Sequence, residues 1–433
     1  MSEGQRQPLR PETAGDAAGS ASVPLSHADR AILALEGPTI AGHICKVIRL
    51  GPPVPPLTAL IEAVAARLPL APALTWKLTG RPEAACWRPD PTFDLHAHIA
   101  QLACVIRLDD AALRIEVARL FLQRLDRDRP LWRMDLVGPL VDGDTVLVWK
   151  VHHALADGTT LMALARDVLW DPHPDAPSAS RRPHPDTLPR RHHQAGMIHR
   201  ELLPGLHSSP FDGHIGHQRA VAFATTPLAS LHDAAHSLAG ATVNDAVLAV
   251  IAGALRRWLQ HRHGALRDVR VKVPVSLHHE GQPQDNNDSY FCLPLPVGEP
   301  DPRKRLQTIR AATAMRKTQH DAQELDELLE RLSQAAPGLQ RWAQRLQTSP
   351  RTFALNVSNV PGPPRPVSVL GAPVRSMHPL AELAPRHALR VAVVSVADTL
   401  CYGLLADPDV IADLDILATA IEEEATAILN GRD

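Results

Sequence analysis

From Asp171 to about Gln194 the chain reads DPHPDAPSASRRPHPDTLPRRHHQ, and Pro, His, Arg and Ser there displace the apolar periodicity found on both sides. Such a stretch cannot bury enough apolar surface to pack, so it reads as a linker, continuing to about residue 218. It divides the 433 residues into a block at 23–170 and a block at 219–433, each of ordinary domain size. Two lobes are therefore expected. His173, His184, His192 and His193 crowd the linker, but with no fixed spacing and many prolines between them they read as solvated, and no metal is expected.

Both blocks mix helical and strand patterns. In the first, 57–68 and 109–125 repeat apolar residues at helical spacing, whereas TVLVWKV at Thr145 to Val151 is a short, nearly continuous apolar run rich in β-branched residues. That run reads as a central strand covered on both faces, followed by a helix at 159–169. In the second block, 242–260 reads as a buried helix, 269–277 as a strand, YFCLPLPV as strand-like, and PRKRLQTIRAATAMRKT as a helix with a Pro start. Residues 389–407 give two strands about a turn at Ala397 and Asp398, before a closing amphipathic helix. Mixed elements in both halves predict α/β or α+β layers, with no repeat.

Composition removes several functions. Hydrophobic residues make up 45% and charged residues 21%, so the bulk of the chain should pack; a net charge of −2 offers no footprint for nucleic acid. Cys45, Cys86, Cys104, Cys292 and Cys401 are odd in number, widely spaced and without a CxxC pair, which suits reduced thiols and a cytoplasmic location. Residues 1–22 lack the apolar core of a secretory signal and read as a disordered tail. No apolar run reaches the roughly 18 residues that a spanning helix needs, so a membrane or lipid inclusion would be met only from the surface. LDELLERLSQ at 325–334 has an apolar face, but its acidic polar face favours packing on the domain over an interface.

The most informative stretch is His152-His153-Ala154-Leu155-Ala156-Asp157-Gly158, set between the buried strand and the next helix. A strand end anchored in a core holds the following loop rigidly, and an imidazole placed there is a candidate proton acceptor. Asp157 can cap the helix, and Gly158 permits a tight turn or a close approach. Paired histidines could merely satisfy local hydrogen bonds. HxxxD alone would be weak, but HHxxxDG in this setting favours catalysis. Asn244 reads alone as a helix cap, Pro130 to Trp132 as a core anchor, and Asn359 to Pro363 as a tight turn.

HHALADG resembles the active-site motif of the coenzyme A-dependent acyltransferase superfamily, shared by chloramphenicol acetyltransferase, carnitine acyltransferases and peptide-synthetase condensation domains. Within it the chain is similar to the bacterial wax ester synthase/diacylglycerol acyltransferase family. PLSHADRAIL resembles that family's opening segment, RDRPLW its PLW motif, GATVNDAVLAVIAGALRRWL its ND motif (Asn244, Asp245), and NVSNVPGP its NVPGP motif (Asn359 to Pro363). The matches run in order from residue 24 to about 428. The chain departs from the family at Val396 and Asp398, where a Tyr and a Gly are frequent, and around Pro385 and Arg386, where an Asp-Gly is; these changes bear on acceptor or acyl-chain preference and not on the base.

The resemblance implies two chloramphenicol-acetyltransferase-like lobes, each a mixed sheet flanked by helices, with a tunnel between them and His153 near its midpoint. It implies O-acyl transfer from acyl-CoA to diacylglycerol or a long-chain alcohol, with no other cofactor. His153 would be the general base, His152 and Asp157 would support the loop, and Asn244 would face the active-site channel as a candidate oxyanion donor, alongside a backbone N–H. Gly158, Pro130, Trp132, Asp245, Asn359, Pro361 and Gly362 would help build the substrate channel. A carrier-dependent condensation-type enzyme and a silent lipid-inclusion scaffold are the alternatives.

Overall fold

A computed structural model describes residues 22–81, 84–102, 106–172, 209–263, 266–276, 288–319 and 349–431. Its centre is the expected strand, β7 (Thr145–His152), buried at all eight positions. β7 pairs antiparallel with β2 (His43–Leu50) and β6 (Trp132–Val137), and β6 pairs parallel with β5 (Ile99–Gln101). Side chains alternate across it as the double cover requires. Leu147, Trp149 and Val151 pack with α2 (Leu57–Arg67) and α4 (Gly158–Val168), while Val146 and Val148 pack with Val117 and Phe121 of α3 (Asp110–Leu122). α3 ends earlier than its pattern predicts, because Gln123 turns extended. A small sheet of β1 (Val23–Pro24), β3 (Trp76–Thr79) and β4 (Cys86–Pro89) lies beside α1 (His27–Ala34), which Ser26 and Asp29 cap reciprocally.

The second lobe is built on a six-stranded sheet in the order β10 (Asp288–Leu295), β9 (Val269–Ser276), β11 (Leu355–Val360), β14 (Leu389–Val396), β15 (Thr399–Ala406), β8 (Ala220–Pro227). Four helices bury one of its faces: α5 (Leu228–Ala239), α6 (Val243–His263), α7 (Pro302–Gln319) and α8 (Leu414–Asn430). The turn at Ala397 and Asp398 is present, with Ala397 at φ +49 and Val396 opposite Thr399.

One connection is not visible in the sequence pattern. β13 (Ala372–Ala381), preceded by β12 (Ser368–Val369), leaves the second half of the chain and completes the first lobe's sheet by pairing antiparallel with β2. There it meets β15 so closely that a β-carbon on Gly403 would sit 1.8 Å from the Pro379 carbonyl oxygen. The helix-free face of β14 and β15 thus enters the first lobe's core, with Val394, Val396 and Cys401 in one cluster and Leu405 in another.

The described flanks of the compositional linker are docked. The Asp171 carboxylate accepts from Ser368 Oγ and from the Leu370 and Gly371 amides, and Phe211 is buried against Trp258. The four linker histidines, Cys104 and the 325–334 segment lie outside the described residues.

Candidate active site

β7 ends on His152, and the chain turns back on that residue: the Leu155 and Ala156 amides both donate to its carbonyl, at 2.9 and 3.3 Å. Asp157 then starts α4 by accepting the Thr160 amide at 2.6 Å on Oδ1. Asp157 is 1% exposed and its charge is felt by both Lys46 and His153. Gly158 opens α4 against the second lobe, where an added β-carbon would lie 3.0 Å from Val360 Cγ2; close approach is what the glycine supplies.

The His152 side chain is fully engaged. The Ala154 amide donates to Nδ1 at 3.1 Å, so the ring proton is on Nε2, which donates to Glu36 Oε1 at 2.8 Å. Burial alone would raise the Glu36 carboxyl, but hydrogen bonds from His152 and Arg127 outweigh it and hold the pKa near 2. Gly42 lies against this pair at φ +69, and a β-carbon there would sit 2.7 Å from His152 Nε2. Its carbonyl accepts the His153 amide at 2.8 Å. His152 is therefore the buttress of the loop.

That leaves His153 as the imidazole presented by the loop. Burial and the nearby Arg390 guanidinium push its pKa down to about 4, against the opposing pull of Asp157 and a backbone hydrogen bond within the residue. A ring held neutral at pH 7 is in the form that accepts a proton. Arg390 is oriented by donating from Nη1 to the Glu382 carbonyl at 2.9 Å.

The other residues divide by position. Pro361 and Gly362 follow β11 beside the Gly158 contact, and the Gly362 amide donates to Ser395 Oγ at 3.0 Å; Asn359 is half-buried at the strand's end. The NVPGP segment thus meets the HHxxxDG loop across the lobes. Asn244 is half-buried in the first turn of α6, next to Asp245. The Asp245 carboxylate caps that helix from inside, accepting from the Thr242 amide and hydroxyl at 2.8 Å and from Thr313 Oγ1 at 2.6 Å. Trp132 points into the core: it is 1% exposed, donates from Nε1 to the Leu74 carbonyl at 2.7 Å and stacks on His98. The PLW segment reaches the loop through its backbone, because the Leu131 carbonyl accepts the His152 amide at 2.9 Å. Of the departures, Arg386 pairs with Asp212, and Asp398 accepts the Ala229 amide at the start of α5.

Glu36, Gly42 and Arg390 carry no sequence signal of their own. Glu36 and His152 are 116 positions apart, and only the fold brings them together. Among the described residues no group of three or more His, Cys, Asp or Glu side chains could hold a metal ion.

This two-lobed architecture is shared with solved structures. A starter condensation domain of rhizomide synthetase, solved with C8-CoA, aligns at TM-score 0.62 and 14% identity over 95% of both chains. The wax ester synthase/diacylglycerol acyltransferase from Marinobacter aquaeolei VT8 aligns at TM-score 0.67 and 23% identity over 94% of this chain and 99% of that one. In sequence, a probable diacylglycerol O-acyltransferase of Mycobacterium tuberculosis is 29% identical over 412 residues, 87% of this chain and 89% of its own length. The wax ester synthase/diacylglycerol acyltransferase catalytic-domain model matches residues 25–207, and the C-terminal-domain model of the same family matches 285–428. The chain belongs to the wax ester synthase/diacylglycerol acyltransferase family and is an acyltransferase.

Proposed function

We propose that the protein transfers a long-chain acyl group from acyl-CoA to the hydroxyl of a lipid alcohol, with His153 as the general base. The observation that carries this reading is His153 itself, a neutral imidazole on a loop locked by Glu36, His152 and Gly42 where the two lobes meet. His153 takes the hydroxyl proton while the oxygen attacks the thioester carbonyl. The tetrahedral intermediate then collapses by breaking the carbon–sulfur bond, and the proton passes from His153 to the leaving sulfur. No acyl-enzyme, metal or further cofactor is needed. Asn244 or a backbone N–H would stabilise the oxyanion.

Diacylglycerol is the favoured acceptor over a long-chain alcohol, making triacylglycerol. We further propose that the enzyme works in the cytoplasm, at the surface of a membrane or lipid inclusion where so apolar an acceptor would gather; no single described helix is long and apolar enough to cross one. Each methylene withdrawn from water contributes about 0.8 kcal/mol, so kcat/KM should climb steeply from acetyl-CoA to donors of roughly a dozen carbons. The test is a donor series against diacylglycerol, a long-chain alcohol and a small polar alcohol. Acetyl-CoA with the small alcohol emerging as the better pair would sink the lipid assignment. His153→Ala should lose about 10²-fold or more in turnover while the protein stays folded.

A further inference from the structure

Three segments remote in sequence meet behind the His153 loop at one buried ion pair. Glu382 directly follows β13, the strand by which the second half of the chain enters the first lobe's sheet. Arg219 stands at the far end of the compositional linker, immediately before β8. Arg219 Nε donates to Glu382 Oε1 at 3.1 Å, with the two side chains 0% and 7% exposed.

A charge pair this deep is tolerated when its remaining donors and acceptors are also used. Arg219 Nη1 donates to the Gly216 carbonyl at 2.9 Å and to the Gln218 carbonyl at 2.8 Å, and Nη2 donates to the Thr39 carbonyl. Glu382 Oε1 also accepts the Leu383 amide at 3.0 Å, and Oε2 accepts the Ala41 amide at 3.1 Å. The Glu382 amide donates to the His43 carbonyl at 2.9 Å. The pair thereby grips Thr39, Ala41 and His43, and between the last two lies Gly42, whose carbonyl accepts the His153 amide.

Residues 36–42 form neither helix nor strand, so side-chain bonds decide where they sit. Arg124 fastens their near end from the first lobe, at the Gly37 and Ile40 carbonyls. Glu382 and Arg219 fasten the end next to His153. Glu382 has a second line to that ring, because its carbonyl accepts from Arg390, the cation whose charge reaches His153.

We propose that Glu382 and Arg219 are positioning residues for acyl transfer, which fix the Gly42 carbonyl and through it the His153 backbone. Arg219 anchors that support to the second lobe, whose β11 end meets the same loop at Gly158. A general base works only within hydrogen-bond reach of its proton, and a misplacement of about 1 Å can cost ~10²-fold in rate. The catalytic consequence rests on the reading of His153 as the base.

Two variants separate positioning from bulk stability. Glu382→Gln keeps the shape but converts one acceptor oxygen into a donor, which faces another donor whichever way the amide turns, since both carboxylate oxygens accept N–H groups. Arg219→Met combined with Glu382→Leu replaces both charges by apolar side chains of similar volume, a change that is often neutral for stability, yet it leaves the Ala41 amide unheld. Wild type, both variants and His153→Ala are compared by melting temperature, by kcat and KM for a long-chain acyl-CoA, and by amide hydrogen exchange. In both pair variants kcat should fall about tenfold or more with KM little changed, and exchange should quicken in peptides covering 37–43 and 150–158 while α6 keeps its protection. The double variant should recover the melting temperature lost in Glu382→Gln without recovering kcat. A kcat that follows the melting temperature across the two variants, an unchanged kcat, exchange that quickens everywhere, or a double variant that does not fold overturns the positioning role. Full activity in His153→Ala beside the local quickening overturns the reading of His153 as the base and leaves the grip of the pair on the loop standing.

Discussion

Lowering the pH from 7.5 to 5.5 should cost this protein much of its stability before it slows the chemistry. Burial holds His43 down to about 3 and His153, His378 and His387 down to about 4, against an ordinary value of 6.5. Neighbouring cations assist, Lys150 at His43 and Arg390 at His153. A folded-state value below the unfolded one means that the unfolded chain binds protons the native state refuses, so stability falls as pH drops below 6.5. Over this interval each such histidine costs about 1.3 kcal/mol, and the four together about 5 kcal/mol, comparable with the whole stability of many proteins. His98 adds in the same direction, while Glu36, near 2, is silent in this window. Urea unfolding followed by tryptophan fluorescence at the two pH values reads the difference; a loss under about 2 kcal/mol would refute the buried-neutral assignment. The folded enzyme should meanwhile keep its kcat/KM at pH 5.5, where an ordinary histidine would be about 90% protonated. An inflection of the rate near pH 6.5 would show that His153 titrates normally.

Three substitutions test the framework around that loop. Asp157→Ala removes the α4 cap and should lower stability by about 1 kcal/mol together with activity; lost activity at an unchanged melting temperature would instead give the carboxylate a direct chemical role. Glu36→Ala strands the His152 Nε2–H and should cost about 1–3 kcal/mol and reduce kcat more than it raises KM, with Glu36→Gln retaining most of both; equal behaviour of the two variants would contradict the buttress. Gly403→Ala drives a β-carbon into the Pro379 carbonyl and should destabilise by about 3 kcal/mol or more, so a wild-type denaturation midpoint would show that β13 and β15 have room to separate.

What could be read in the sequence is what local pattern encodes. β7 declares itself by a run apolar on both faces, α4 and α6 by helical spacing, and the β14–β15 hairpin by two apolar runs about Ala397 and Asp398. HHxxxDG was legible because seven consecutive residues carry it. β13 was not, since APVRSMHPLA contains two prolines and an arginine and gains its strand character from β2, which lies more than 300 residues earlier. The supports of His153 were hidden for the same reason: Glu36 and Arg390 reach the loop from opposite ends of the chain. Trp132 illustrates the converse, because an aromatic after Pro-Leu read on its own as a core anchor, and it is buried as one.

The passage of β13 into the first lobe's sheet makes the linker a poor place to cut. A fragment ending at residue 172 would lack β12 and β13 and present β2 as a bare hydrogen-bonding edge flanked by apolar residues, an invitation to dimerise or aggregate. A lobe exchanged between two relatives must therefore travel as two pieces, the leading segment and the later strand, or the seam at Gly403 and Pro379 will join surfaces that did not evolve against each other.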